Sequence, residues 1–373
     1  MSNRKKCQLG DILTFQRGRD LPREQMKKGE YPVVGSNGII GYHNEYTTEA
    51  PSITIGRSGN TGNPFIVYGR SWSHNTTLYV KEFKGSDPIF VYYLLKTLEL
   101  GSFAGGSAVP TLNRNHIHTL EISVPPLTEQ IEIGSTLQAL DEKIATNNKI
   151  NHHLEQQCFA LYRRIYNDEF KLGWEMGTVS DLGEVVGGGT PPRAKPEYYT
   201  SNGISWITPK DLSINKNKFI SQGTEDITDL GLRDSSARLM PRGTVLFSSR
   251  APIGYIAIAS GEVCTNQGFK SIIPNKKIGT AFVYFFLKDN TQAIESMASG
   301  STFKEISGST MKDISAVIPD DRSLADFNEA CAPMFKQQEL LERENTYLAT
   351  IRDVLLPILM SGDLTMADNI YTK

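Results

Sequence analysis

The sequence predicts an α+β protein built as two tandem globular domains, each followed by a long α-helix, with the two helices paired as an antiparallel coiled-coil spacer of pseudo-two-fold symmetry. Three observations carry that expectation. The chain repeats itself, each repeat ends in an apolar seam of helical period, and the residues before each seam have the composition of a sheet. At 373 residues the chain also has the length of two or three domains rather than one.

The repeat is visible in short matches that keep their order. Leu9-Gly10-Asp11-Ile12 aligns with Leu182-Gly183-Glu184-Val185, and FVYYLLK at 90–96 aligns with FVYFFLK at 282–288. Farther on, Gly106-Ser107 aligns with Gly300-Ser301, Leu112 with Ile306, Leu120 with Ile314 and Val124-Pro125 with Ile318-Pro319, all at an offset of 194. An offset that grows by one loop and then holds is what a duplicated domain leaves behind.

Residues 1–126 and 176–320 read as the two domains. Short runs such as SITIG (52–56), FIVYG (65–69), TLYV (77–80), TVLFSS (244–249) and YIAIAS (255–260) are rich in β-branched and aromatic residues and punctuated by Gly, Pro and Asn. VGGGTPPR at 186–193 reads as a turn-rich loop, and SNGISWITPKDL at 201–212 as a strand bounded by loops.

The helices are expected at 127–168 and 321–361, with a connector at 169–175 and a polar tail at 362–373. Leu137, Leu140, Ile144, Asn147, Asn151, Leu154, Cys158, Leu161 and Ile165 advance by alternating threes and fours, an a/d seam, and no Gly or Pro interrupts residues 135–165. Cys331, Met334, Gln338, Leu341, Asn345, Leu348, Arg352, Leu355 and Leu359 repeat that spacing. Matched seams favour a coiled coil; the plainer alternative is that each helix packs only on its own domain. Asn151 and Asn345 hold equivalent slots, where a polar residue fixes register at some cost in stability.

Composition excludes several classes of function. Hydrophobic residues make 39% and charged residues 21%, and no run approaches the roughly 18 apolar residues of a membrane span. No apolar segment follows the basic residues of MSNRKKCQLGD, so a secretory leader is not expected and the cytoplasm is. Cys7, Cys158, Cys264 and Cys331 lie far apart, without a CxxC pair, which argues against a disulfide framework and the common zinc signatures. The net charge of -2 conceals an uneven distribution: residues 1–126 carry 14 basic against 10 acidic side chains, whereas 321–373 carry 5 against 9. Bulk charge therefore does not decide whether one domain binds a polyanion.

Catalytic motifs fail in turn. The chain has no GxxxxGK[ST] and no Gly-Lys dipeptide, which argues against a Walker-type ATP site. Phe103-Ala104-Gly105-Gly106-Ser107 lacks the last glycine of an FxGxG methyl-donor loop, and Asn63-Pro64-Phe65 lacks the second proline of an Asn-Pro-Pro-Phe element. Glu82-Phe83-Lys84 has no upstream Pro-Asp to complete a nuclease metal site and reads as a charged strand end. His116 and His118 would share one face of a strand and His152-His153 would diverge on a helix, neither with a partner at metal spacing, so no metal is expected. A catalytic set is not expected either.

What remains are loops rich in cations, amides and hydroxyls. Each repeat sets an arginine after a short hydrophobic strand: Arg57, with Ser58 and Asn60 in the same turn, and Arg250, preceded by Ser249. A guanidinium on such a loop suits bidentate hydrogen bonding to guanine O6 and N7 or to a phosphate. Further candidates for nucleic-acid contact are Arg17, Arg19, Lys27, Lys28, Ser36, Asn37, His74, Asn75, Thr76, Thr190, Arg193, Lys210, Asn266, Gln267, Thr302 and Lys304.

At this point the residues carry a resemblance. YPVVGSNGIIGYHNEY at 31–46, GGSAVPTLNRNHI at 105–117, VPPLTEQ at 124–130, GGGTPPRAKPEYY at 187–199, ISWITPKDL at 204–212 and LLPILMSGDL at 355–364 resemble the specificity subunit of Type I DNA restriction-modification systems across nearly the whole chain. The second helix departs from that pattern, opening on VIPDDRSLADF at 317–327 instead of a VPPLTEQ-like string. The resemblance implies that 1–126 and 176–320 are target-recognition domains 1 and 2. Each would read one half of a bipartite, asymmetric double-stranded DNA target, and the helices would set the gap and dock two methyltransferase subunits. S-adenosylmethionine, ATP and magnesium would then belong to partner subunits, including motor-nuclease subunits where a system has them, and this chain would be no enzyme. Two other classes stay open, a stand-alone bipartite DNA-binding regulator and a non-catalytic coiled-coil scaffold.

The ruler implied by the helices is testable. The seam from Leu137 to Ile165 spans roughly 42 Å at about 1.5 Å per residue, near the separation of half-sites one duplex turn apart. Inserting one heptad into both helices keeps the seam in phase and adds about 10 Å, or about three base pairs. Mapping of methylated adenines should then show both half-sites with a wider gap, or no methylation; methylation at the original gap would rule the ruler out.

Overall fold

The computed structural model describes residues 4–106, 110–167, 174–250, 252–300 and 304–364. The chain divides into two compact units, one formed by Met1–Ala145 with Thr346–Lys373 and the other by Thr146–Asn345. Each holds one globular domain together with a length of both long helices. Among the described residues no helix is long and apolar enough to cross a membrane. Most of the expected connector and tail lies outside the described residues.

In the first unit an antiparallel sheet runs in the order Thr14–Arg17, Thr77–Glu82, Ser52–Gly56, Pro64–Val67. Its inner strand Ser52–Gly56 is buried on both faces although SITIG alternates, because Ile53 and Ile55 fill the core on one face while Ser52 meets the Ser71 hydroxyl at 2.6 Å and Thr54 donates to Phe65 O at 3.5 Å on the other. A second sheet joins Gly38–His43, Tyr31–Gly35 and Trp72–Ser73, and Lys5–Gln8 pairs with Glu121–Val124. The helix Pro88–Thr97 carries FVYYLLK; Asp87 caps it by accepting the Phe90 N–H at 2.7 Å, with Pro88 in the first turn, where its missing N–H is harmless.

The second unit repeats this plan. Its main sheet runs Gly183–Gly187, Lys270–Pro274, Val245–Ser249, Ile253–Ala259, Phe219–Ile220, the first four matching the four strands of the first unit in order. Glu175–Thr178 pairs with Ser315–Ile318 as Lys5–Gln8 does with Glu121–Val124. The helix Thr280–Ser296 carries FVYFFLK and buries Phe282, Val283, Phe285, Phe286 and Leu287. Two local expectations are corrected. Thr208-Pro209-Lys210-Asp211 opens the helix Pro209–Ile214 rather than a loop, because Thr208 and Asp211 form a reciprocal capping box. His116 and His118 lie on the short helix Arg114–His118, capped by Asn113, so they do not share a strand face.

The long helices span Leu127–Asn167 and Asp321–Ser361. The second starts without a VPPLTEQ-like string because Asp320 accepts the Arg322 and Ser323 N–H groups at 3.0 and 2.9 Å. They run antiparallel within each unit. In the second unit Asn147 faces Asn345, donating from Nδ2 at 2.9 Å; Asn151 O accepts from Gln338; and the Cys158 thiol meets Met334 Sδ at 3.6 Å. In the first unit Asp141 pairs with Arg352 at 2.5 Å. The expected equivalence of Asn151 with Asn345 therefore does not pair them: antiparallel packing sets Asn345 against Asn147, which is fully buried. All the expected seam residues, Leu137, Leu140, Ile144, Asn151, Leu154, Leu161, Ile165, Met334, Leu341, Asn345, Leu348, Leu355 and Leu359, are buried or half-buried.

The plainer alternative also holds in part, because the helices enter the domain cores. Leu137, Leu359 and Met360 join Leu9, Phe15 and Tyr93 in the core of the first unit, and Cys158, Tyr162, Phe327 and Cys331 join Phe247 and Phe282 in that of the second. At the end of the second helix, Arg4 donates to the carbonyls of Leu359 and Met360 at 2.6 and 2.7 Å, satisfying acceptors that the helix leaves open.

The second unit is further fastened by a buried cation. Lys218 Nζ donates to Glu155 Oε2 at 2.8 Å and Gln338 Oε1 at 2.9 Å, under the Phe335 ring at 3.3 Å, while Glu342 accepts the backbone N–H groups of Lys218 and Phe219. Burial pushes the Glu155 carboxyl up, but Lys218 and Lys288 outweigh it and hold it down at about 2. A carboxyl held below its ordinary value of 4.5 contributes stability above that pH and loses it as pH falls toward 2. Lys218→Met should destabilise the protein by about 3 kcal/mol, since Glu155 stays largely buried with Lys288 as its one remaining cation beside the neutral donors Tyr284 and Gln338. Urea denaturation at pH 7 checks this, and the variant should also lose less stability than the parent between pH 4.5 and about 3.

Candidate nucleic-acid interface

In the first unit the strands Thr14–Arg17 and Thr77–Glu82, the turn after Gly56 and the segment Thr111–His118 wall a groove of about 930 Å³. Four cations line it, Arg17, Arg57, Lys81 and Arg114, with the amides of Gln16, Asn113 and Asn115, and no carboxylate is among its lining residues. Like charges gathered without counter-charges repel one another, and an anion in the groove relieves that. The turn that brings Arg57 there requires Gly56: a Cβ at that position would lie 1.7 Å from Asn60 O. Arg57 is then held by its backbone, its N–H on Thr76 O at 2.7 Å and its carbonyl accepting the Leu112 N–H at 2.8 Å. Burial and the neighbouring Arg17 charge press its guanidinium below the ordinary value, yet arginine keeps its proton.

His118 belongs to the wall. Its ring stacks on Phe15 and its Nε2 accepts the Phe15 N–H at 3.0 Å, which needs the neutral imidazole; burial, Lys84 and Arg114 favour that form by lowering its pKa. Arg114 donates to Phe15 O at 3.4 Å.

Other expected residues form a second cluster in the first unit. Ser36 N–H donates to Thr76 Oγ1, His74 Nδ1 meets the same hydroxyl at 3.1 Å, and Asn75 Nδ2 donates to Asp20 at 2.6 Å. Arg57 Nη1 reaches Asn75 O at 3.5 Å, tying this cluster to the groove. Arg19, exposed, joins the cluster through a backbone bridge to His74. Asn37 is exposed in the turn joining Tyr31–Gly35 to Gly38–His43. Lys27 and Lys28 are exposed but are not among the groove's lining residues; the Lys27 N–H is tied to His43. Ser58 bridges to Thr111, and Asn60 Oδ1 accepts from Asn63 Nδ2.

The second unit is arranged differently. Arg193 and Lys210 line a pocket of about 600 Å³ with Tyr199, Trp206, Thr208, Asp211 and Glu225. Thr190 Oγ1 donates to Gln267 Oε1, and Asn266 Oδ1 is engaged by the Gly268 N–H at 2.9 Å. The two strand-end arginines are not equivalent. The Ile306 N–H donates to Ser249 O as the Leu112 N–H does to Arg57 O, so Ser249 stands where Arg57 stands and Arg250 falls one residue on. Successive side chains on a strand point to opposite faces, so this one-residue offset changes what each can reach. Ser249 is buried and donates to Gly268 O at 3.2 Å, while Arg250 meets Glu305 at 3.9 Å. Lys304 is exposed, and Thr302 lies outside the described residues. Among the described residues no group of three His, Cys, Asp or Glu could hold a metal ion.

Sequence alone does not single out Lys81 and Arg114 as groove cations, nor Tyr199, Trp206 and Glu225 as partners of Arg193. The TLNRNHI string contains Arg114, but nothing local says that it faces Arg57.

A duplicated α+β protein with a cationic groove in its first copy is the class that fold and site define. The sequence matches the family described as Type I restriction modification DNA specificity domain over residues 1–156 and again over 171–327, and the chain belongs to that family. It is 38% identical over 179 residues to the Type I restriction enzyme MjaIX specificity subunit of Methanocaldococcus jannaschii, covering 46% of this chain and 41% of that one. It is 30% identical over 195 residues to the HindI specificity subunit of Haemophilus influenzae, covering 52% and 42%. The chain thus spans about two fifths of the length of these two relatives. With the EcoR124I/EcoR124II specificity subunit of Escherichia coli the identity is 22% over 304 residues, 75% of this chain and 73% of that one. The fold is shared with the crystal structure of the Type I restriction-modification system S subunit from M. genitalium, at a TM-score of 0.70, 17% identity and 96% coverage of both chains.

The offset between the repeats separates two substitutions. Arg57→Ala should weaken binding to a preferred DNA duplex by about 1 to 3 kcal/mol. Arg250→Ala, whose guanidinium already has a carboxylate partner, should change it by less than about 1 kcal/mol. Anisotropy titrations of both variants against one labelled duplex check the contrast, and equal losses would restore the arginines to equivalence.

Proposed function

We propose that the chain is the DNA-reading, non-catalytic subunit of a Type I restriction-modification complex. Each unit reads one half of a bipartite, asymmetric target in double-stranded DNA. Two methyltransferase subunits dock on the long helices and methylate adenine N6, and motor-nuclease subunits join where the system has them. In this reading S-adenosylmethionine, ATP and magnesium are bound by the partners.

The observation that carries the proposal is the first-unit groove, where four cations and three side-chain amides converge. Cations supply affinity for the phosphate backbone, and amides and guanidinium forks supply discrimination at base edges. The family's own description, a DNA specificity domain found twice in this chain, agrees with that chemistry.

Two measurements test it. Calorimetric titration of the purified chain with S-adenosylmethionine should be silent, and micromolar binding by a preparation free of methyltransferase would overturn the division of labour. Mapping methylated adenines in the source cell, with and without this chain, should show a bipartite motif that disappears with it. An unchanged methylation map would favour a stand-alone regulator or a scaffold.

A further inference from the structure

The second-unit pocket differs in kind from the first-unit groove, because cation and carboxylate sit together in it. Arg193 Nη1 donates to Glu225 Oε2 at 2.6 Å. The guanidinium carbon lies 4.2 Å from the centroid of the Tyr199 ring and 5.1 Å from that of Trp206. Both rings are themselves fixed: the Tyr199 hydroxyl donates to Pro191 O, and Trp206, buried, donates from Nε1 to Gly189 O at 3.0 Å. Gly189, whose carbonyl anchors Trp206, packs against the Ser236–Ala237 backbone, where a Cβ would lie 2.4 Å from Ala237 N. The rings hold the guanidinium over their faces, and Glu225 fixes how it is turned. Its remaining edge, Nη2 and Nε, has no hydrogen-bond partner among the described residues, and the side chain is 57% exposed.

A preorganised, half-satisfied fork of this kind loses little entropy on making two further hydrogen bonds. Its neighbour decides which ligand it suits. The Glu225 carboxylate, itself 38% exposed, repels a phosphate that approaches Arg193, whereas a base edge carries no net charge. Bidentate donation from one guanidinium edge matches the paired acceptors O6 and N7 of guanine.

We infer that Arg193, fixed by Tyr199, Trp206 and Glu225, is the residue with which the second unit reads a guanine. This rests on the DNA-reading function proposed above and assigns one base contact within it. Lys210, exposed in the same pocket, is left to meet the phosphate backbone.

Selection from duplexes with randomised positions tests the assignment, using the full chain as parent, Arg193→Lys, Arg193→Gln and Glu225→Gln. The parent should enrich a motif containing guanine at a position where Arg193→Lys loses preference by about tenfold, leaving the other positions intact. Lysine keeps the charge and a partner for Glu225, so unchanged thermal unfolding of that variant separates reading from folding, and Arg193→Gln provides a second, uncharged comparison. Glu225→Gln should lose part of the same preference. Retention of every positional preference by Arg193→Lys would overturn the inference. A loss spread evenly over all sequences would overturn it too, by making Arg193 a phosphate contact. If the parent itself enriches no motif, the DNA-reading function fails, and this assignment fails with it.

Discussion

A helix of 41 residues whose apolar side chains are gathered mainly in one seam is not stable as a lone element; that seam must be covered. In this protein the cover comes from the other long helix and from a domain core at once. Because the pairing is antiparallel, each unit needs stretches of chain that are far apart in sequence, such as Asn147 with Asn345 and Asp141 with Arg352. Polar contacts inside the seam make that pairing selective. Asn147 satisfies Asn345 and Glu344 only in the observed register, and a shift by one turn would leave a buried amide facing a hydrocarbon side chain. Lys218 adds a second condition in its unit, since its ammonium is satisfied only when Glu155 and Gln338 face it together.

The same domain plan carries two differently lined cavities. Strand order, the paired terminal strands and the FVY-containing helix recur, so the scaffold that positions the loops is held constant. On it the first unit gathers Arg17, Arg57, Lys81 and Arg114 without a carboxylate, while the second pairs Arg193 with Glu225 over aromatic rings. Divergence is concentrated where side chains meet solvent at loop ends, the places a rigid scaffold leaves free to vary.

Much of this is legible in the sequence, and the same physics accounts for what is not. The seams are readable because alternating threes and fours sustained over four heptads seldom arise except where a helix buries one stripe, and the inner strands because SITIG sets two isoleucines on one face while TVLFSS carries the apolar run Val245-Leu246-Phe247. Register is not readable, because the partner of Asn345 depends on helix direction rather than on the repeat offset. Arg57 and Arg250 look equivalent because they follow similar strands, but one residue of slip in a period-two structure exchanges the faces. Lys81 and Arg114 stay hidden because only the folded sheet brings them to Arg57. Lys218 sits in NKNKF, where nothing marks one lysine of two as buried.

The clasp of Arg4 on Leu359 and Met360 also sets an order of events on the ribosome. Residues 1–126 are made well before Leu359 and Met360, yet the core of the first unit includes both. At roughly 5 to 20 residues per second, the nascent first domain waits on the order of ten seconds or more before its core can be completed. The second unit, continuous from Thr146 to Asn345, has all its parts before then. Of the two domains, the one made earlier is therefore the one completed later, and it is there that a chaperone would have the longer time to act.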